Sequence, residues 1–496
     1  MDDTVTAGSG EDRGGFINFL VDLIRLLDSF VFSEVTVAGI SIAWIVVWMA
    51  APMVVLTFYF GFINLRSFKR AYKVLTGRYH DSTAPGEVTQ FQALSTALSG
   101  TVGLGNIAGV AVAISLGGPG ATFWMILIGL FAMTLKFAEC TLGVKYREIR
   151  ADGTVAGGPM YYLEKGLKGR GLGRLGKGLA WTYALLAVPT LLQVAQVNQA
   201  YSQVSAVTGL NGQGWAWSFG VAIALLTAVV IIGGIRSIAS VTARLVPLMT
   251  AVYITAAITI LIGHAGAIPD AFMTIMAGAF NPDSITGGIA GVIIIGMQRA
   301  VYSTEAGLGS ATMAHAAAKT NEPVSEGMVA LMEPFVDTVV VSTMTALVII
   351  VTGLYRVEGL NDIQMTSAAF GSVISWFPYV LAIAVLMFAF STIISWGYYS
   401  GKIWEFVFGG SERSMNLFKI VFCTALVPGA VFSVREVYML MDSLFFLMAI
   451  PNIIGIYFMA GELKSDLKSY LARLKSGEIA ERMPESRSLA KETSAP

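Results

Sequence analysis

The sequence predicts an all-α polytopic membrane protein of eleven spans, ten of them in two inverted groups of five. Three observations carry this. Hydrophobic residues make up 55% of the chain and charged residues 13%, against about 25% charged in ordinary soluble proteins. Lys and Arg gather in alternate loops. Glycines interrupt two apolar spans that lie five spans apart. The mean hydropathy of +0.69 agrees with the first observation, because so few charges cannot cover a soluble surface for 496 residues. A cytoplasmic enzyme, a disordered chain and a secreted disulfide scaffold are excluded. So is a nucleic-acid partner, since Lys+Arg and Asp+Glu are equal at 32 each. Cys140 and Cys423 give neither a disulfide framework nor a zinc pattern. His80, His264 and His315 are scattered, and no cofactor is expected.

A spanning helix needs about 20 apolar residues to cover ~30 Å. Spans 1 to 11 fall at about 39–62, 88–116, 119–143, 179–207, 217–234, 242–263, 285–315, 327–353, 367–401, 415–433 and 436–460. The organisation is then a 1–38 extracytoplasmic segment, an extra span 39–62, five-helix groups at 88–263 and 285–460, and a polar tail at 461–496. Within the first segment, 16–32 places Phe16, Leu20, Leu23, Ile24 and Leu27 against Asp22, Arg25 and Asp28. This amphipathic stretch is expected to lie at the membrane surface. It is no signal peptide, since acids interrupt it and no basic region precedes it.

Basic residues fix the orientation. Loop 63–87 carries Arg66, Lys69, Arg70, Lys73 and Arg78, and loop 144–178 carries Lys145, Arg147, Arg150, Lys165, Lys168, Arg170, Arg174 and Lys177. Loops of the other parity carry only Arg356 and Arg435. The N-terminus is therefore expected outside and the C-terminus in the cytoplasm, which requires an odd number of spans.

Span 2 contains Ser99-Gly100-Thr101-Val102-Gly103-Leu104-Gly105-Asn106. Span 7 contains Arg299-Ala300-Val301-Tyr302-Ser303-Thr304-Glu305-Ala306-Gly307-Leu308-Gly309-Ser310. Each mid-helix glycine costs about 1 kcal/mol relative to Ala, and charges within a span are expensive. An odd number of helices per group inverts the second group. Interrupted helices at matched positions of inverted halves point to a midplane binding site. There, freed amides can hold a carboxylate and freed carbonyls a cation. Close helix packing through small residues is the competing explanation for either motif alone. Gly103-x-Gly105-x-x-Ala108 matches a dinucleotide fingerprint on paper, but that motif needs a βαβ unit.

At these residues the chain resembles the alanine or glycine:cation symporter family. The resemblance rests on Ser99–Gly109, on Gly117-Gly118-Pro119-Gly120-Ala121-x-Phe123-Trp124-Met125, and on Lys136-Phe137-Ala138-Glu139. It continues through Gly157-Gly158-Pro159-Met160-Tyr161-Tyr162, the run Ala314–Thr320, and Phe390-Ser391-Thr392-Ile393-Ile394-Ser395-Trp396. The matches run from about 90 to 410. The resemblance implies a leucine-transporter-type fold of two inverted five-helix repeats plus one extra N-terminal helix. It implies import of a small neutral amino acid, alanine or glycine, coupled to Na⁺ across a bacterial-type inner membrane. The other partners are Na⁺ and the lipid bilayer; oligomeric state is left open.

The family pattern further implies a substrate pocket between spans 2, 4, 7 and 9. Its expected residues are Thr101, Gly103, Gly105, Asn106, Gln196, Tyr302, Ser303, Thr392 and Trp396. A Na⁺ site is implied from carbonyls of Ser99, Val102 and Phe388 with hydroxyls of Ser391 and Thr392. Arg299 and Glu305 are expected in a gating or structural role, paired with each other or at a gate. Two departures bear on selectivity. Span 7 of the family usually reads Phe-Ser-Asn-Glu-Ala-Gly, where this chain has Tyr302 and Thr304; span 4 usually reads Gly-Asn-x-x-Gln, where it has Leu192-Gln193. Either change could admit another amino acid such as glutamine.

Each polar residue also has a structural explanation. Gln196 could bind neighbouring helices together, and Ser391 and Thr392 could bond back to their own helix. Trp396 could pack, and Lys136 with Glu139 would form an i,i+3 pair. Asp337 and Asp442 are intramembrane acids that could carry protons, which leaves proton coupling open. No Walker motif and no paired catalytic groups are present, so neither ATP-driven transport nor an enzyme is expected. A sensor that binds without transporting stays open.

Overall fold

The computed structural model describes residues 15–37, 40–79, 81, 83–281, 288–357, 359–360, 362–373, 376–431, 435–479 and 481. Expectations for 1–14, His80, 285–287 and 482–496 lie outside the described residues.

The described chain is almost wholly helical. Seven helices are long and apolar enough to cross a membrane: Ala121–Lys145, Gly173–Thr208, Gln213–Ile232, Gly234–Gly263, Pro323–Val351, Tyr379–Phe408 and Val437–Ser476. An eighth span is the pair Gln90–Thr101 and Gly105–Gly117, bent by 42°. Helix length therefore does not reproduce the expected eleven. The other three expected spans hold Trp44–Tyr59, Gly288–Thr304 and Glu412–Leu426, of 16, 17 and 15 residues. Each is cut short locally. The first follows a hairpin of Glu34–Val37 with Ile40–Ala43. The second ends where Glu305 turns left-handed at φ 50°. The third passes into the 3₁₀ turn Val427–Ala430.

Several boundaries are corrected. The expected span 367–401 is two helices, Asp362–Gly371 and Phe377–Phe408. Helix Gly234–Gly263 begins well before 242, because Gly233 and Gly234 (φ 64°) turn the chain at once after Ile232. Helix Ala449–Ser476 continues through residues expected in the tail. Loop 264–284 holds a helix, Ile268–Phe280, and loop 144–178 holds Pro159–Lys168. The three short helices, of 10 to 13 residues, fell below the length that a spanning pattern needs, whereas the long ones run on past the apolar stretch into polar residues.

The amphipathic stretch is helix Gly15–Val31. It packs against Arg435–Leu447, where Ser443 Oγ donates to Asp28 Oδ1 at 3.2 Å. Its Phe19, Leu23, Leu26 and Phe30 face outward, as a helix seated in lipid requires. Leu225, Val229, Ile232 and Ile262 are likewise exposed, the outer surface of a bilayer-embedded bundle. Ala121–Lys145 runs through the interior. It packs against Gly288–Thr304, Pro323–Ala330 and Trp44–Tyr59, and its second half is buried.

Candidate functional site

Both expected interruptions are present. The first helix starts at a capping box: Gln92 N donates to Thr89 Oγ1 at 3.2 Å and Thr89 N to Gln92 Oε1 at 3.0 Å. It stops at Thr101 and resumes at Leu104. The second break runs from Glu305 to the short helix Thr312–Ala316. Here glycine is needed twice, since Gly307 has φ 102° and Gly309 φ 75°. A Cβ on Gly309 would also come within 2.6 Å of the Pro159 ring.

Across from the first break, Phe377–Phe408 presents a set of oxygens. Ser99 Oγ donates to the Ser391 carbonyl at 2.6 Å, and Thr392 Oγ1 donates to the Ser99 carbonyl at 3.0 Å. Ser391 Oγ donates to the Phe388 carbonyl at 2.9 Å. Ser395, which sequence reasoning missed, donates to Ser99 Oγ at 2.9 Å; its i+4 spacing from Ser391 was the available signal. Val102 is buried at the end of the same turn. The structure thus gathers Ser99, Phe388, Ser391 and Thr392 in one place. These are hard, uncharged oxygens, the donor type that suits an alkali cation better than a soft metal.

A cavity of about 180 Å³ adjoins this cluster. Gln196, Tyr302, Glu305, Thr392 and Trp396 line it, with Gly100, Thr190, Gln193, Asp442 and Phe445. Four of the nine expected substrate residues therefore share one cavity. Thr190 enters from the 3₁₀ turn Val188–Leu191, which interrupts the expected fourth span, and its carbonyl accepts Gln193 Nε2 at 2.6 Å. Asp442 and Phe445 bring in the last span, which the family pattern did not assign to the pocket. Phe445 packs on Trp396 at 5.5 Å between ring centres.

The other five expected substrate residues do not wall the cavity. Thr101 is buried with its hydroxyl unpartnered. Gly103 and Gly105 stand at the break, where added Cβ atoms would lie 3.8 Å from Thr392 Oγ1 and 3.9 Å from Ser303 Cα. Asn106 and Ser303 turn instead to Asp337. Asn106 Nδ2 donates to the Asp337 carbonyl at 2.8 Å and to its carboxylate. Ser303 Oγ and Thr338 Oγ1 each donate to Asp337 Oδ2 at 3.0 Å. Asp337 lies on a π-helical turn, Phe335–Ser342, a distortion often found at functional sites.

Two expected ion pairs do not form. Arg299 lies over the Tyr302 ring at 5.8 Å, while Glu305 accepts from Ser310 Oγ at 3.0 Å. Lys136 pairs with Glu333 at 2.8 Å rather than with Glu139. Glu139 is engaged elsewhere. Its Oε1 accepts from the Gly307 and Gly309 amides at 2.9 and 3.1 Å and from Asn452 Nδ2 at 2.7 Å. Asn452 Nδ2 also donates to the Gly307 carbonyl at 2.7 Å, and Tyr183 OH to the Leu308 carbonyl at 2.9 Å. The second break is held from several helices at once.

Two interrupted helices that share one cavity, within a bundle of long apolar helices, fit a multi-pass transporter. The known proteins agree. The profile of the "Sodium:alanine symporter family" matches residues 28–484, and the chain belongs to that family. It is 38% identical over 457 residues to the sodium/alanine symporter AgcS of Methanococcus maripaludis, covering 91% of this chain and 97% of that one. It is 32% identical over 425 residues to the probable sodium/glutamine symporter GlnT of Bacillus subtilis, covering 85% and 86%. Among solved structures, MhsT in complex with L-phenylalanine superposes with a TM-score of 0.50 at 15% identity, over 75% of this chain and 88% of that one. That likeness shows a shared fold, of the leucine-transporter type.

Proposed function

We propose that the protein imports a small neutral amino acid, alanine or glycine, by Na⁺ symport with alternating access. The observation that carries this is the cavity at the two breaks, walled by Gln196, Tyr302, Thr392 and Trp396, beside the Ser99–Ser391–Thr392 oxygens. The family and the name of the Methanococcus relative support it. Na⁺ takes the carbonyls of Ser99, Val102 and Phe388 and the hydroxyls of Ser391 and Thr392. It thereby replaces the bonds that now join the two helices. The amino acid lies in the cavity with its carboxylate toward the first break, on the side that Gly100 lines, and its ammonium toward the carbonyls near Tyr302. Thr392 belongs to both sites, so each ligand favours the arrangement that the other needs. That shared preference is what couples the two gradients. The N-terminus lies outside and the C-terminus in the cytoplasm, with the basic loops.

Glutamine is the second reading. Gln193 and Asp442 add polar groups to the cavity wall, and these can hold a side-chain amide. The test is uptake of labelled alanine, glycine and glutamine into proteoliposomes of the purified protein, under an inward Na⁺ gradient or with K⁺ in its place. Alanine or glycine uptake that needs Na⁺ supports the proposal. Equal uptake in K⁺ removes Na⁺ coupling and directs attention to protons. Binding without uptake makes the protein a sensor.

A further inference from the structure

Behind the second break lies a cluster of ionisable side chains that the cavity does not use. His315 sits on the short helix Thr312–Ala316 that follows the break. His315, Lys136, Glu139, Glu326 and Glu333 are all fully buried. Lys136 Nζ donates to Glu333 Oε1 at 2.8 Å, and His315 Nδ1 meets Glu326 Oε1 at 2.6 Å. The far atoms of these groups are left over. Glu139 Oε2, His315 Nε2, Glu326 Oε2 and Glu333 Oε2 are buried without a hydrogen-bond partner. They are four of the twelve such atoms among the described residues, so the deficit is concentrated here. His315 Nε2 and Glu333 Oε2 face each other at 3.9 Å, beyond hydrogen-bond range.

The charge balance points the same way. Glu305 and Asp337 are buried next to this cluster. Five carboxyls then stand against Lys136, His315 and Arg147, which interacts with Glu326. If all were ionised, two negative charges would remain uncompensated even with an imidazolium. An unpaired buried carboxylate is costly, and such groups hold protons instead. An imidazole whose Nδ1 is tied to Glu326 presents Nε2 as the place for one.

We propose that His315 and Glu333 form a buried proton-binding site, with one exchangeable proton held on Nε2 against Oε2. The proton bonds to Nε2, the Glu333 carboxylate at 3.9 Å stabilises the imidazolium by its charge, and water supplies the proton and takes it back. No other bond forms or breaks. The groups that face the site are Lys136, Glu139 and Cys140 from Ala121–Lys145, Glu326 beside it, Glu305 from the break, Asp337 from the π-turn and Tyr399 from Phe377–Phe408. Arg147 closes the far side, donating to the Ala316 and Ala318 carbonyls at 2.6 Å each. Glu139 touches both this cluster and the Gly307 and Gly309 amides. Glu305 both lines the cavity and interacts with Lys136 and Glu333, so cargo in the cavity changes the field at the proton, and the proton load follows the cargo. Only that linkage rests on the transport reading.

The chain has three histidines, so replacing His80 and His264 by Gln leaves His315 alone to report. The experiment is nitrogen NMR of the ¹⁵N-histidine-labelled full chain in nanodiscs, titrated from about pH 5 to 8, where histidine ordinarily changes charge. It is run with and without NaCl and alanine, with alanine binding measured on the same sample. Nε2 is expected to pass from unprotonated to protonated within that range. Cargo is expected to move the midpoint by at least tenfold in proton concentration, and Glu333→Gln to move it again. A His315 locked in one state throughout overturns the proton site, whether or not Glu333→Gln folds. A titration that cargo leaves unmoved, in protein that binds alanine, overturns the linkage. If alanine does not bind, the transport reading fails, and the cargo-free titration still decides the proton site.

Discussion

The first break is tied to its neighbour by uncharged oxygens, Ser99 with Ser391 and Thr392. The second is tied by a carboxylate, Glu139, that accepts from two backbone amides and from Asn452. Neutral hydroxyl–carbonyl bonds contribute only about 1 kcal/mol each, and their oxygens can exchange a hydrogen bond for a cation. Bonds to a charged group contribute about 1.5–3 kcal/mol each and leave costly orphans when broken. The difference suggests a division of labour, in which one break yields to ligand and the other stays fixed as the reference.

The largest expected effect falls on the fixed break. Glu139→Ala would strand the Gly307 and Gly309 amides in a dry interior and leave Asn452 Nδ2 with the Gly307 carbonyl alone. A loss of about 3 kcal/mol is expected, at 1–3 kcal/mol per orphaned group, seen as a lower melting temperature in detergent together with lost uptake. Glu139→Gln keeps an acceptor oxygen and should recover much of the stability. An alanine variant that melts like the parent would remove the asymmetry between the breaks.

The yielding break should respond differently. Thr392→Ala deletes one bond to the Ser99 carbonyl and, on the proposed function, one Na⁺ ligand. Its melting temperature should fall little, while the Na⁺ concentration for half-maximal uptake rises at least tenfold, about 1.4 kcal/mol. A variant that loses stability but keeps its Na⁺ dependence would make Thr392 a helix tie alone.

The smallest effect lies where Glu481 reaches the loop after the first span. Glu481 bonds Lys73 at 2.9 Å and Arg78 at 2.6 Å. These hydrogen bonds, Arg78 first, hold its carboxyl below the ordinary carboxylate range. A depressed acid contributes stability that is present above its unfolded value and lost as pH falls through its folded value. Proteolysis of the C-terminal segment should therefore quicken only in acid, as pH falls below the ordinary carboxylate range. Glu481→Gln should quicken it at neutral pH with uptake unchanged. Equal cleavage of parent and variant at neutral pH would show that this contact anchors nothing.

How far the sequence reached differs between the same two regions. Glycine spacing located both breaks, and a family resemblance placed Gln196, Tyr302, Thr392 and Trp396 beside one cavity. Asn106 and Ser303 were expected there too, yet both face Asp337. Asn106 stands on a largely apolar helix and Ser303 next to Tyr302 on another, so spacing alone could not say which neighbour each would meet. The expected Lys136–Glu139 pair failed for a related reason. The i,i+3 rule describes helix surfaces in water, whereas Lys136 finds its partner 197 residues away.

By itself, the sequence determined that the chain crosses a membrane, where it breaks its helices, and that the breaks recur in matched positions. Hydropathy and glycine content are properties of short stretches and survive without a fold. Only the tertiary structure decided which buried groups meet: Glu139 with the Gly307 and Gly309 amides, His315 with Glu326, Asp442 with the cavity. Inside a bilayer no water can satisfy a polar group. Each must find its partner on another helix, and which one it finds depends on how the helices are rotated and packed.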